Sequence, residues 1–322
     1  MAANRTCTIA IISVGEMGLG IGQLLKAHKY RVATYAADRS KGTQDRAFSA
    51  GIELLPSLEA LFDESDYLLS IVPPRDALST ANRIALAASK CNQRKEPLYY
   101  LDLNAVSPRT ARETEELFRQ YSNICLIDGG IIGGVPYQKK AADSTAGDPD
   151  WHCPSLMVSG PTQVPDQSLA KILNVRHVGD TIGPATGLKM CFAVTTKGFI
   201  SLAIESFVTA HRLGVLPELK EYLGEYNAST LKIAEKGLVT MPPKAYRWVG
   251  EMLEISRTMH EDGGFDPTIF EGVSEVYRFV ADESELGKEK PGARVRGKTV
   301  EDVVELLSQA MEQRSPDVNK TT

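Results

Sequence analysis

Apolar positions follow two patterns along this chain. Up to about residue 182, short apolar runs rich in β-branched residues alternate with amphipathic stretches. CTIAIISV, YRVATYA, DYLLSIV, PLYYLDLN, NICLIDGGI, SLMVSG and RHVG read as strands. SLEALFDES, RDALSTANRIALAAS and SPRTARETEELFRQY read as helices, the last with Ser107 as cap and Pro108 at its first position. The alternation predicts an α/β domain with a doubly wound, mostly parallel sheet over residues 1–182. From Gly183 the helical period takes over. GPATGLKMCFAVTTKGFISLAIESFVTAHRLG predicts one helix from about Ala185 to Leu213, roughly 40 Å long at about 1.5 Å per residue, with Gly198 its only interior break. Apolar residues lie on most of its sides, so it should be buried along most of its length and join two domains. Glu218–Gly237, Pro243–Asp262, Pro267–Leu286 and Val300–Gln313 complete an all-helical second domain, residues 183–322. KEKPGARVRGK reads as a solvated basic loop and SPDVNKTT as a disordered tail.

Composition narrows the function classes. The 322 residues are 43% hydrophobic and 24% charged, with a net charge of −5. These are the values of an ordinary globular protein, and nothing in them points to nucleic acid or an anionic membrane. No apolar run reaches the span of a bilayer, and the start lacks the layout of a secretory signal. Cys7, Cys91, Cys125, Cys153 and Cys191 show no CxxC spacing, so they read as reduced, mostly buried thiols of a cytoplasmic protein, and no metal site is expected.

The first strand runs into glycines. Ser13-Val14-Gly15-Glu16-Met17-Gly18 stands where a dinucleotide fingerprint, G-x-G-x-x-G between strand and helix, would stand. Gly15 would let the backbone approach a pyrophosphate, and Gly18 would let the helix pack on the strand. Ser13 replaces the first glycine, and its small side chain should fit the turn. The second strand ends near Ala36, where an NAD site places an acid to hold the ribose 2′-OH. Arg39 and Ser40 follow, a guanidinium and a hydroxyl suited to a 2′-phosphate. NADP is therefore the expected cofactor, and Asp38 leaves NAD open. Val72-Pro73, Asn104 and Gly129-Gly130 fall at C-terminal strand ends, where such folds bind ligands.

Lys189 lies early in the long helix, at the positive end of its dipole and beside Leu188, Met190 and Phe192. Both features lower a lysine pKa toward the range useful for proton transfer. A lysine in isolation would more often snorkel to water. The stretch Gly133–Pro154 has no clear period and reads as an active-site flap or a mobile loop. Its His152 reads first as a surface histidine.

Together these pieces resemble the β-hydroxyacid dehydrogenase family of the 6-phosphogluconate dehydrogenase-like superfamily, over nearly the whole chain. Gly15-Glu16-Met17-Gly18 is similar to its G-x-M-G element. Asp128-Gly129-Gly130-Ile131-Ile132-Gly133-Gly134 is similar to its D-x-x-x-S-G-G substrate stretch. Gly183-Pro184-Ala185-Thr186-Gly187-Leu188-Lys189 is similar to the G-x3-G-x-K run that carries its catalytic lysine. The resemblance implies that Lys189 is the general acid or base. It also implies that Gly130, Ile131 and Ile132 line the substrate site. Two polar contacts are missing: the family's serine falls on Ile132, and its asparagine falls on Ala193. Thr196, two helical turns beyond Lys189, is placed to replace part of the second. Arg247 falls near a lysine that the family keeps by the active site, although a surface helix arginine reads equally well. GGIIGGVP also resembles the imine reductase branch, which usually carries Asp or Tyr where this chain has Lys189.

The expected protein is a homodimer, paired through the helical domain. It would be an NADP-dependent oxidoreductase passing hydride between nicotinamide and a small carbonyl or alcohol. An imine reductase, or a cofactor-binding protein without turnover, are the rivals.

Overall fold

A computed structural model of the chain describes residues 7–91, 94, 96–139, 151–289 and 294–314. The tail over 315–322 and the middle of the KEKPGARVRGK loop lie outside the described residues. The chain divides into two compact units, Met1–Met190 and Cys191–Thr322. The sequence boundary at 182/183 marks the start of the long helix, whereas the units part inside it. The first turns of that helix are tied to the sheet, as described below.

The first unit is built on β1 (Thr8–Ile12), β2 (Arg31–Thr34), β3 (Glu53–Leu54), β4 (Tyr67–Ser70), β5 (Leu98–Asp102) and β6 (Ile124–Ile132). β7 (Tyr137–Gln138), β8 (Trp151–His152), β9 (Ser155–Ser159) and β10 (Val175–His177) follow. All but β7 and β8 join one sheet in the order β10-β9-β6-β5-β4-β1-β2-β3. Pairing is parallel throughout except between β6 and β9, which run antiparallel. The helices of this unit are α1 (Glu16–Ala27), α2 (Lys41–Ser49), α3 (Leu58–Glu64), α4 (Ala77–Lys90), α5 (Pro108–Phe118), α6 (Gln167–Ile172) and the start of α7 (Pro184–Ala193). The central strands are apolar on both sides because the sheet divides the core into separate clusters. Ile9, Ile11, Leu69, Leu101 and Ile127 belong to one cluster, and Ala10, Leu68, Leu98 and Tyr100 to the other. The expected Ser107 cap is present, with Thr110 N donating to Ser107 Oγ at 3.3 Å. The strand order reverses at β1, which opens a crevice beyond the C-terminal ends of β1 and β4.

The long helix runs unbroken from Pro184 to Arg212. It comprises α7, a π-helical turn over Val194–Gly198, and α8 (Phe199–Arg212). By length and composition it meets the test for a membrane span, contrary to the sequence expectation. Two of its cations have partners inside the protein: Lys189 donates to Ile131 O and Lys197 pairs with Glu251. Leu188, Phe192 and Leu202 are substantially exposed, so the helix is less buried than its apolar content suggests.

α9 (Leu216–Tyr226), α10 (Ala228–Thr240), α11 (Ala245–Glu261), α12 (Thr268–Arg278) and α13 (Val300–Arg314) form the rest of the second unit. The expected single helix Glu218–Gly237 is two, because Asn227 leaves helical geometry at φ −153° and separates α9 from α10. The expected helix over Pro267–Leu286 ends in a π-helical turn at Phe279–Glu283 and a 3-10 turn at Glu285–Lys288. Of the cysteines only Cys91 is buried, and Cys191 is exposed, so they are not mostly buried, though all are free thiols.

Candidate active site

The glycine turn has the shape the fingerprint requires. Ser13 takes φ +74°, a left-handed conformation that favours glycine. A Cβ on Gly18 would lie 2.2 Å from Ser13 O, so only glycine lets α1 start this close to the end of β1. A Cβ on Gly15 would meet nothing nearer than Ser13 Oγ at 4.0 Å, which leaves the backbone N–H groups at the start of α1 open to an anion. Met17 packs against the core, while Glu16 is exposed and puts a carboxylate in the first turn of α1. These residues fit a dinucleotide pyrophosphate. When bound, such a cofactor supplies or accepts hydride at its nicotinamide ring.

Asn104 holds the next strand end in place. Its Oδ1 accepts from Val72 N at 2.7 Å, and its Nδ2 donates to Asp102 Oδ1 at 2.6 Å and to Ser70 Oγ at 3.0 Å. Buried and satisfied, its side chain fixes the Val72-Pro73 segment rather than reaching outward. At the other cofactor element, Arg39 pairs with Asp38 at 3.4 Å and Ser40 Oγ lies 3.1 Å from Thr43 Oγ1. Arg83 of α4 reaches the same Asp38 at 2.8 Å. Nothing local in the sequence announces this contact.

The Lys189 end of α7 is fixed by buried Asp128 on β6. Its Oδ2 accepts from Gly183 N at 2.9 Å, Thr186 N at 3.3 Å and Ser159 Oγ at 2.7 Å, while Thr186 Oγ1 donates to its Oδ1. Ser159 Oγ accepts in turn from Ala185 N at 3.0 Å. A carboxylate thus satisfies the orphan N–H groups of the helix start and complements its dipole. Burial pushes the Asp128 carboxyl up, against the pull of these donors.

Gly130 lets α7 lie on β6: a Cβ there would stand 2.8 Å from Lys189 Cβ. The lysine stem runs along the strand, and Nζ donates to Ile131 O at 2.5 Å. Burial lowers the Lys189 pKa to about 8. Met190 is fully buried, whereas Leu188 and Phe192 are each 43% exposed. Ile132 is partly buried. Gly130, Ile131 and Lys189 are therefore brought together in the first unit.

Thr196 and Arg247 belong to the second unit. Thr196 lies in the π-helical turn, where regular helical spacing from Lys189 no longer applies, and its hydroxyl donates to Phe192 O at 3.2 Å and Ala193 O at 3.3 Å. Next to Arg247 in the chain, Trp248 belongs to a mostly buried group that the sequence reading missed. Lys197 pairs with Glu251 and stands 5.1 Å over the Trp248 ring, Trp248 packs edge-on against Tyr277 at 5.2 Å, and Tyr277 Oη donates to Lys197 O. Arg247 Nε has no partner among the described residues.

The Gly133–Pro154 stretch is described at both of its ends. Its ends form a β7–β8 ribbon in which Tyr137 and His152 stack at 5.0 Å, and its base packs Val135 and Pro136 against Gly20 of α1. His152 is exposed, and residues 140–150 lie outside the described residues. Among the described residues no cluster could hold a metal ion.

Residues 8–150 match the NAD binding domain of 6-phosphogluconate dehydrogenase, and residues 210–280 match a domain family of unknown function, DUF1932. An uncharacterised 28.5 kDa protein of Methanothermus fervidus is 26% identical over 218 residues, 67% of this chain and 76% of that protein. A conserved hypothetical protein of Sinorhizobium meliloti superposes with a TM-score of 0.62 at 22% identity, covering 95% of this chain and 97% of that one. The 3-hydroxyisobutyrate dehydrogenase of Mycobacterium tuberculosis, solved with L-serine, superposes with a TM-score of 0.61 at 16% identity, covering 94% and 99%. Over residues 8–150 the chain is thus similar to the NAD binding domain of 6-phosphogluconate dehydrogenase, and its fold, an NAD(P)-binding Rossmann domain followed by a helical domain, is that of the 3-hydroxyacid dehydrogenases.

Proposed function

We propose that this protein is an NADP-dependent oxidoreductase that moves hydride between nicotinamide and a small carbonyl or alcohol, with Lys189 as general acid and base. One observation carries the reading. The Lys189 ammonium is held at the C-terminal end of β6 by Ile131 O, and burial lowers its pKa to about 8. A lysine so held is mostly protonated at neutral pH yet gives up its proton readily. In the direction of reduction it stabilises the charge developing on a substrate oxygen and donates the proton, and in oxidation it takes that proton back. Gly15, Gly18 and the start of α1 would receive the pyrophosphate, Arg39 and Ser40 the 2′-phosphate, and Val72 and Pro73 the nicotinamide half. Gly130 and Ile132 would border the substrate. Ile132 in place of a hydroxyl favours a substrate with an apolar group at that point over one gripped there by a carboxylate.

The same reading makes the protein cytoplasmic and homodimeric through the helical unit, where Leu202, Leu213 and Tyr222 expose apolar area beside one another. Sedimentation of the purified chain tests the dimer. NADPH oxidation with a panel of carbonyls and a panel of imines tests the activity. Turnover with imines alone would favour the imine reductase reading, and tight NADPH binding without turnover on either panel would leave a binding protein.

A further inference from the structure

Asp38 lies in the turn after β2 with a guanidinium on each carboxylate oxygen. Arg83 Nη2 is 2.8 Å from Oδ2, and Arg39 Nε is 3.4 Å from Oδ1. Arg83 comes from α4, 45 residues along the chain. Ala36, at the place where an acid would hold a ribose 2′-OH, is buried and has nothing to offer, so Asp38 is the acid left in this turn. All three charged side chains are partly exposed, and Ser40 and Thr43 stand beside them at the start of α2.

We propose that Arg83 decides which nicotinamide cofactor this protein takes, by competing with the cofactor for Asp38. This rests on the reading of the chain as a nicotinamide-dependent enzyme. While Arg83 and Arg39 hold the carboxylate, a ribose 2′-OH must share each of its oxygens with a guanidinium that fixes its orientation and draws off its charge, which penalises NAD. A 2′-phosphate carries more charge than the carboxylate and presents more acceptor oxygens, so it takes over both guanidiniums. Arg83 therefore acts twice for NADP: it restrains the acid that NAD needs, and it supplies a second guanidinium to the phosphate. Asp38 acts in the opposite sense, as the internal anion that a 2′-phosphate must displace.

The test compares NADPH with NADH, and 2′,5′-ADP with 5′-AMP, by calorimetric titration of wild type, Arg83→Ala, Arg83→Lys and Asp38→Ala. In Arg83→Ala the NADPH-over-NADH preference should fall roughly 10- to 100-fold, the worth of one charged hydrogen bond, with NADH binding more tightly than to wild type. Arg83→Lys should restore part of the preference. Asp38→Ala should tighten NADPH and 2′,5′-ADP and weaken NADH, and it carries the test if Arg83→Ala does not fold. An unchanged preference in both Arg83→Ala and Asp38→Ala, or an equal loss of both nucleotides, overturns the inference while leaving the enzyme reading intact. Failure of wild type to bind either nucleotide overturns both, and a wild type that prefers NADH overturns the role of Arg83.

Discussion

Asp102 and Asp128 stand directly opposite each other on the paired strands β5 and β6, both buried at the C-terminal end of the sheet. Each carboxylate anchors a different element. Asp102 Oδ1 accepts from Asn104, whose own Oδ1 holds Val72 N, while Asp128 caps the helix that carries Lys189. Asp102 Oδ2 has no partner among the described residues. Burial, with Asp128 adding repulsion, raises the Asp102 pKa to about 7, against the pull of Asn104.

That shift predicts a pH dependence of stability. The folded state holds the Asp102 proton up to about pH 7, whereas the unfolded chain releases it near pH 3.9. Burying the charged form therefore destabilises the protein progressively as pH rises through this window, and costs nothing below it. Asp102→Asn keeps an acceptor for Asn104 and removes the charge. Its melting temperature relative to wild type should be higher at pH 8 than at pH 4.5; the same difference at both would refute the shift.

Lys189→Met keeps the stem and removes the proton. Turnover should fall at least about a hundredfold, from the usual worth of general acid–base catalysis. NADPH affinity should hold. With a folded pKa of about 8 against 10.5 unfolded, the wild-type ammonium weakens the fold fully below pH 8, and the penalty is relieved as pH rises toward 10.5. The variant should thus be more stable than wild type at pH 7, by a margin that shrinks by pH 10. The wild-type rate of carbonyl reduction should fall above about pH 8. Single-turnover NADPH oxidation reads the first outcome, and thermal melts at both pH values read the second.

Gly130→Ala separates geometry from cofactor binding. The added Cβ would push α7 away from β6 at the Lys189 stem. Turnover should drop more than tenfold while NADPH titrates as in wild type. Equal activity would mean that the position of Lys189 on β6 does not matter.

Glu16 brings an acid to the turn that would receive a pyrophosphate. Like charges about 4 Å apart in water repel by about 1 kcal/mol, so Glu16→Gln should tighten NADPH several-fold. Ser13→Gly removes a side chain from φ +74°, and should raise the melting temperature slightly, because a non-glycine residue there costs about 1 kcal/mol or more. Gly15→Val should abolish nucleotide binding in a folded protein. Titration decides for Glu16→Gln and Gly15→Val and a thermal melt for Ser13→Gly, and wild-type affinity in Gly15→Val would move the phosphates elsewhere.

The sheet and its helices were legible in the sequence because they depend on local signals. Strands buried on both faces must be apolar runs, as in TIAII of β1 and LYYLD of β5. The glycine turn and the place of Lys189 at the head of a long helix are equally local: each needs a residue type at a fixed step from its neighbours. Other features depend on residues distant in the chain, and no period records them. The antiparallel join of β6 to β9, the facing of Asp102 and Asp128, the capture of Asp38 by Arg83 and the closing of Lys197 onto Glu251 are of this kind. Asn104 shows the difference most plainly. Its position at a strand end marks it as a ligand contact, yet folding brings Val72, Ser70 and Asp102 to its side chain, and a buried amide takes the partners it finds.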